Sequence, residues 1–286
     1  MKRERFLEYA RLYRRLWLDR SGIRQFGRVP LFDPGLPVIF LTSQKAGSTS
    51  ALKWYFDKLG ILEEALSFHP FAHTYEQQVF KKRPGYESDV RRALQTPDIP
   101  VVKFVRDPAA RALSGYNFLT RQSDPATRAL QISYWRRRMV AWVHGQDADI
   151  ETRVSFLEYL RWLASENPRS LDGHLGPQRL DLEAGLGGRL QIVKIEHIPE
   201  AFDDLEARYG LAVSSEENQK KILSSKHHNE KSTQAASLEK LMRVGLEVGR
   251  VGKNTPKFDT SRLAEFPEAE ELIRRVFAAD YAAYAY

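Results

Sequence analysis

Two short apolar runs, each followed by a polar turn and then a helical pattern, set the frame of the chain. Val38-Ile39-Phe40-Leu41, opened by Pro37, reads as a buried strand. Thr42 to Ser48 is a polar turn. From Thr49 the apolar positions Ala51, Leu52, Tyr55, Phe56 and Leu59 recur at helical spacing, with Gly60 as the stop. The second run, Val101-Val102-Lys103-Phe104-Val105, ends at Arg106, and Asp107 then caps a helix with Pro108 at its first position. Gln191 to Ile195 is predicted as a third strand, followed by a helix from Pro199 to Gly210. Ser155 and Glu158 have capping-box spacing for a helix from Phe156 to Ala164. A last helix, Pro267 to Tyr284, places Leu272, Val276, Phe277 and Tyr281 on one face. Between these elements, Phe68 to His73 reads as a proline-broken loop, Lys81 to Pro100 as a polar stretch, residues 120–150 as having no clear period, and Lys220 to Thr233 as a basic loop.

Strands separated by helices predict an α/β layer fold around a mostly parallel sheet. The domain boundary falls at residue 37, with one domain over 37–286 and a basic amphipathic helical segment over 1–36. In that segment Phe6, Tyr9, Ala10, Tyr13, Leu16 and Trp17 share a face, which either docks on the domain or lies on a membrane surface.

Composition narrows the classes. At 286 residues and 42% hydrophobic content the chain buries one large core or two small ones. No apolar stretch reaches the roughly 20 residues that span a bilayer, and the N-terminus lacks the apolar region of a secretory signal. Zero cysteines exclude disulfides and thiolate metal sites and fit a cytoplasmic location, at most peripheral to the inner membrane face through the first helix. The excess of 44 basic over 37 acidic side chains, +7, suits a polyanionic ligand.

The turn after the first strand has the chemistry for such a ligand. A strand feeding a small-residue turn and then a helix N-terminus collects free backbone N–H groups and the positive end of the helix dipole, and Lys45 adds a full charge. The order Lys45-Ala46-Gly47-Ser48-Thr49 is not that of a Walker A loop, where glycine precedes the lysine. An ordinary strand-to-helix turn with a surface lysine has the same pattern. The second run supplies Arg106 at the end of its strand, where open α/β sheets bind ligands. Four residues separate Asp107 from Arg111, so an intrahelical ion pair is the simplest reading of Arg111.

Together, Lys45 to Thr49 and the stretch Arg106-Asp107-Pro108-x-x-Arg111-x-x-Ser114-x-Tyr116 resemble the superfamily of sulfotransferases that use 3′-phosphoadenosine 5′-phosphosulfate (PAPS). The carbohydrate (Golgi-type) branch is the nearest likeness. His174-Leu175-Gly176-Pro177-Gln178 is similar to its His-Trp-x-Pro-Gln element, with leucine for tryptophan. Ile192 to Glu196 with Phe202 to Leu205 and Tyr209 to Leu211 is similar to its strand-Glu-helix-Gly-Leu stretch, and Val276 to Tyr286, through Asp280-Tyr281 and Tyr284 to Tyr286, is similar to its closing helix. The likeness covers about residues 37 to 286 in short islands in the family's order. Golgi members carry a membrane anchor and cysteine pairs, which this sequence lacks, so the resemblance is to a soluble, bacterial relative.

The resemblance implies a P-loop-NTPase-like three-layer fold and transfer of a sulfuryl group from PAPS to a hydroxyl of a glycan or glycolipid, releasing 3′-phosphoadenosine 5′-phosphate (PAP). Lys45, Ala46, Gly47, Ser48 and Thr49 would cradle the 5′-phosphosulfate, Lys45 beside the bond that breaks, while Arg106 and Ser114 would hold the 3′-phosphate. Lys231, in the basic segment Lys226 to Thr233, stands where the family closes a loop over the nucleotide. No metal and no nucleic acid is implied. A general base is required, and His69, His73 and His174 are the candidates in that order, the first two lying where glycosaminoglycan 2-O-sulfotransferases place a histidine. Arg136 to Arg138 with Trp135 and Trp142 either receive an anionic or sugar ligand or form a solvated face. Two other classes compete: a P-loop nucleotide kinase, and a non-enzymatic basic module that binds nucleic acid or membrane.

Overall fold

The structure, a computed structural model, describes residue 23 and residues 28–120, 130–224, 238–245 and 260–286. The amphipathic N-terminal stretch and the basic segment containing Lys231 lie outside the described residues. Among the described residues, those within Asp19–Arg106 and Gln178–Asn229 form one compact unit, and those within Asp107–Pro177 and Glu230–Tyr286 form another. The stretch 37–286 contributes to both units.

The first unit holds the sheet. β1 (Ile39–Leu41), β2 (Val101–Val105) and β3 (Leu190–Lys194) run parallel in the order β1-β2-β3. Ile39 pairs with Val101, and Val101 with Leu190. β1 and β2 are buried along their whole length, as expected for parallel strands covered on both faces. The α/β class and the parallel sheet are therefore as the sequence predicts.

Phe40 explains why β1 and its helix hold together. Its ring stacks on Trp54 of the Ser48–Lys58 helix at 5.3 Å, and Trp54 stacks in turn on Phe202 of the Ile198–Tyr209 helix at 5.3 Å. The Trp54 indole N–H donates to the Glu206 carboxylate at 3.0 Å, and Lys58 pairs with the same carboxylate at 2.5 Å. A buried carboxylate is tolerated here because both an N–H and an ammonium satisfy it.

Between β1 and β2 the chain adds helices at Leu62–Phe68, Ala72–Gln78 and Tyr86–Gln95. Lys81 to Pro100 is accordingly not a polar connector: Tyr86, Val90 and Ala93 turn one stripe of a helix into the core. The proline-broken loop shrinks to His69–Phe71, between two helices.

The second unit is helical. Pro108–Thr120 begins with the Asp107 carboxylate accepting the Ala110 N–H at 2.7 Å, the cap expected from its sequence. The Phe156–Ser165 helix carries the full reciprocal capping box of Ser155 and Glu158. Tyr116, Phe156, Tyr159, Trp162 and Trp135 form a continuous aromatic core.

The structure adds to the sequence reading at several points in this unit. Residues Leu130–His144 form a helix where no period was read, because Arg136 occupies a buried position and interrupts the apolar stripe. The Arg136 guanidinium is 1% exposed and donates to the carbonyls of Leu119 and Ile150, so it holds chain segments rather than a ligand. Arg138 Nη2 donates to both oxygens of the Glu166 carboxylate and Trp135 is buried, while Arg137, Arg138 and Trp142 are exposed. Arg111 does not simply pair along its own helix: it is 1% exposed and donates to the carbonyls of Gly173 and Gly176. Finally, the last helix breaks at Phe277 into Pro267–Val276 and Ala278–Tyr284. Among the described residues no helix is long and apolar enough to cross a membrane.

Candidate functional site

The polar turn after β1 has the backbone that an anion loop requires. Lys45 and Gly47 both adopt left-handed conformations, with φ of +65° and +66°, on either side of the buried Ala46. Alternation of this kind can turn N–H groups toward one concave face, although here the Ala46 N–H is taken by the Ser43 carbonyl at 3.3 Å. No side chain caps the Ser48–Lys58 helix, so its first N–H groups are not taken by a cap. Gly47 is dictated twice over. Its φ penalises any side chain, and a Cβ there would lie 2.9 Å from Ile195 Cγ2, just past β3. For Lys45 the same region costs about 1 kcal/mol, a strain retained beside a charged side chain.

Arg106, at the end of β2, reaches this loop. Its Nη1 donates to the Lys45 carbonyl at 3.3 Å. Its backbone is held by one side chain: the Gln178 amide accepts from Arg106 N–H at 3.0 Å and donates to Arg106 C=O at 2.6 Å. Lys45 and Arg106, 61 residues apart, thus meet at the same end of adjacent parallel strands.

Beneath them sits Lys103, which sequence reasoning passed over as one residue of a strand. It is fully buried, and its ammonium donates to Ser43 Oγ at 2.9 Å and to the Gln178 carbonyl at 2.8 Å, with Glu183 Oε1 at 3.2 Å. Ser43 in turn donates to the Gln178 carbonyl at 3.1 Å. A lysine in the middle of an otherwise apolar buried run was the available signal. Replacing Lys103 by Met leaves the buried Glu183 carboxylate without its cation, and a buried pair broken on one side costs about 3–5 kcal/mol. The Lys103→Met protein is expected to melt well below wild type in a thermal scan; an unchanged midpoint would refute the bracket.

His73 is the histidine that this unit brings to the loop. It is buried, and its Nε2 lies 3.3 Å from Thr49 Oγ1 while its Nδ1 lies 2.5 Å from Glu76 Oε2. Glu76 also meets Lys81 at 2.6 Å and Arg28 at 3.3 Å. Burial pushes the Glu76 carboxyl up, but Lys81, Arg28 and His73 together overcome it and hold the group well below the usual carboxylate range. With Glu76 ionised and accepting only, the short contact places a proton on Nδ1 and leaves Nε2 as the acceptor facing the Thr49 hydroxyl. Burial also lowers the His73 pKa below its ordinary 6.5, against the pull of Glu76, which keeps the ring neutral.

The other two histidines differ. His69, first in the sequence ranking, is exposed, and its Nδ1 accepts the Phe71 N–H at 2.9 Å. Its proton is thereby fixed on Nε2, the wrong tautomer for a base at that nitrogen. His174 lies in the second unit, where Asp172 Oδ1 holds its Nδ1 at 2.6 Å and Phe118 stacks on the ring at 4.1 Å. Both His73 and His174 therefore have the electronic form of a base. Ser114, expected with Arg106, also belongs to the second unit. Among the described residues no group of three His, Asp or Glu side chains is arranged to hold a metal ion.

The fold and loop define an α/β protein with a cationic strand–loop–helix turn at the end of a parallel sheet. No family model matches the chain, and no solved structure does. Two curated proteins are similar to it, the UvrABC system protein C of Dehalococcoides mccartyi strain BAV1 and that of strain CBDB1, each 31% identical over 136 residues. The matched part is 44% of this chain and 22% of either relative, so the chain spans about a fifth of the length of these curated relatives.

Proposed function

We propose that the chain transfers a sulfuryl group from PAPS to a hydroxyl of a carbohydrate or glycolipid, releasing PAP. The observation that carries this reading is the meeting of Arg106 with the Lys45 loop. Two cations held 61 residues apart in sequence stand at the ends of paired strands, one in an anion loop and one in a fork suited to a second phosphate. A nucleotide with phosphates at both 3′ and 5′ positions would engage one cation with each phosphate. The strand–loop–helix unit on a parallel sheet supports a three-layer nucleotide-binding fold of the P-loop kind.

In this reading the loop N–H groups and the Ser48 and Thr49 hydroxyls receive the 5′-phosphosulfate. Lys45 neutralises the charge that grows on the bridging oxygen as PAP leaves, and Arg106 receives the 3′-phosphate. The acceptor hydroxyl gives its proton to a histidine of the His–carboxylate form, which His69 does not have. The similarity to UvrABC system protein C spans too small a part of those proteins for their role to be carried over.

Calorimetry with PAP, AMP, adenosine 5′-phosphosulfate and ATP tests the reading. PAP is expected to bind at least about tenfold tighter than AMP, the worth of one charge-assisted phosphate contact. Arg106→Ala should erase most of that difference while weakening AMP little. Equal affinity of wild type for PAP and AMP would overturn the donor assignment, and equal losses in the variant would remove Arg106 from the 3′-phosphate.

A further inference from the structure

The buried His73–Glu76 pair touches the loop at the Thr49 hydroxyl, and that contact has a directional consequence. In the neutral ring Nε2 carries no proton, so the Thr49 O–H must donate to it at 3.3 Å. A hydroxyl has one proton, and while it points at His73 it cannot donate to an anion in the loop. If Nε2 acquires a proton, the bond reverses. The imidazolium N–H then donates to Thr49 Oγ1, and the hydroxyl proton is released toward the loop.

We propose that His73 is a proton-linked positioning residue: binding of a phosphate or sulfate oxyanion in the loop draws one proton from solvent onto His73 Nε2 and turns the Thr49 hydroxyl to the anion. No bond other than the N–H forms, and the proton comes from water or buffer. The balance of charge around the ring favours this on binding. Glu76 Oε2 at 2.5 Å stabilises the imidazolium through Nδ1, while Arg28, whose Nη1 is 3.2 Å from Nδ1, and Lys81, paired to Glu76 at 2.6 Å, oppose it. Burial of the ring, with those two cations, lowers the His73 pKa and favours the neutral ring, and a doubly charged anion near Thr49 would tip the sum the other way. The neighbouring Phe71 ring, 5.0 Å away, adds no charge. The contact carries no proton acceptor for the substrate, since Nε2 is already filled when donor is bound. His73 therefore acts through Thr49 and the acceptor's base lies elsewhere.

The inference deepens the sulfuryl-donor reading but rests only on an oxyanion occupying the loop, so the two can fail separately. The test is proton-linked calorimetry of PAP and of AMP, in buffers of different ionisation enthalpy, from the ordinary histidine pKa of 6.5 upward. Wild type is compared with His73→Gln and Thr49→Val, because the phosphate monoester itself titrates near about pH 6. Wild type is expected to take up close to one more proton than His73→Gln, and its affinity to rise by up to about tenfold more per unit fall in pH. Thr49→Val, which keeps the histidine but has no hydroxyl to turn, should lose the extra uptake. On nucleotide addition the His73 ring ¹⁵N signals of wild type should move from the neutral to the imidazolium pattern. Equal uptake in wild type and His73→Gln, or full uptake in Thr49→Val, overturns the relay even if PAP binds tightly. A proton difference seen with AMP, when PAP binds no tighter than AMP, keeps the relay and removes the donor reading. Failure of both nucleotides to bind removes both.

Discussion

Lys45→Gly is expected to lower turnover by about 10²–10³-fold while PAP affinity stays within roughly tenfold, the signature of a group that acts on charge developing in the transition state. Glycine is the informative replacement because Lys45 already sits at a φ of +65°. It keeps the loop's backbone without strain, so the loss reports the ammonium and not a collapsed turn. Lys45→Ala, which keeps the strained backbone with the charge gone, should show the same loss of turnover and a lower melting point than Lys45→Gly. Single-turnover sulfuryl transfer from labelled PAPS onto an acceptor array is the measurement. A Lys45→Gly protein that turns over within about threefold of wild type would remove Lys45 from the reaction.

A stability effect as large as that of Lys103→Met is expected at Glu76, in Glu76→Gln. The carboxylate is 1% exposed and is shared by Lys81, Arg28 and His73. Glutamine leaves two buried cations facing a neutral amide, a loss on the order of 3–5 kcal/mol, or a fall in the thermal midpoint of roughly 10 °C for a protein of this size. The pH dependence has a definite sign. The folded-state pKa of Glu76 lies far below its ordinary 4.5, so its contribution is complete above 4.5 and is lost as pH falls from there toward the folded value. His73 adds to the same side: its folded pKa lies below 6.5, the unfolded chain binds the proton first, and stability drops as pH falls from 6.5 through the folded value. Wild type should therefore lose stability on acidification in two stages, and its advantage over Glu76→Gln should shrink below pH 4.5. An advantage that is constant across that range would show that the carboxylate's charge is not what stabilises the cluster.

What could be read from the sequence followed the range of the interaction. The three strands, the Asp107 cap and the Ser155–Glu158 capping box depend on neighbours within a few residues, and each appears where its local pattern puts it, within a residue or so. The Leu130–His144 helix was hidden because a buried arginine stands where an apolar residue completes the stripe; the Leu119 and Ile150 carbonyls help make that position tolerable. For Arg111 the sequence shows its i–4 aspartate but not the two carbonyls more than 60 residues away to which the guanidinium donates. At the candidate site, Lys45, Gly47, Thr49 and Arg106 announce themselves by motif. Lys103, Glu76 and Gln178 do not, because their roles consist of contacts with residues that sequence proximity does not reveal. The order of the three histidines turned on tautomers, which depend on what each ring nitrogen meets in space.

Gln178 has a consequence for the order in which the protein can be built. Its amide stands in for a strand, closing both hydrogen bonds of the Arg106 backbone, and its own carbonyl receives Ser43 and Lys103. These partners precede it by 72 residues or more, and the intervening chain forms much of another compact unit. On the ribosome, therefore, the loop and the end of β2 emerge long before the residue that fastens them. A nascent chain that stops short of Gln178 has the Lys45 turn and the end of β2 in full and lacks these four fastenings, so the geometry of that turn is fixed only after the whole intervening segment has been made.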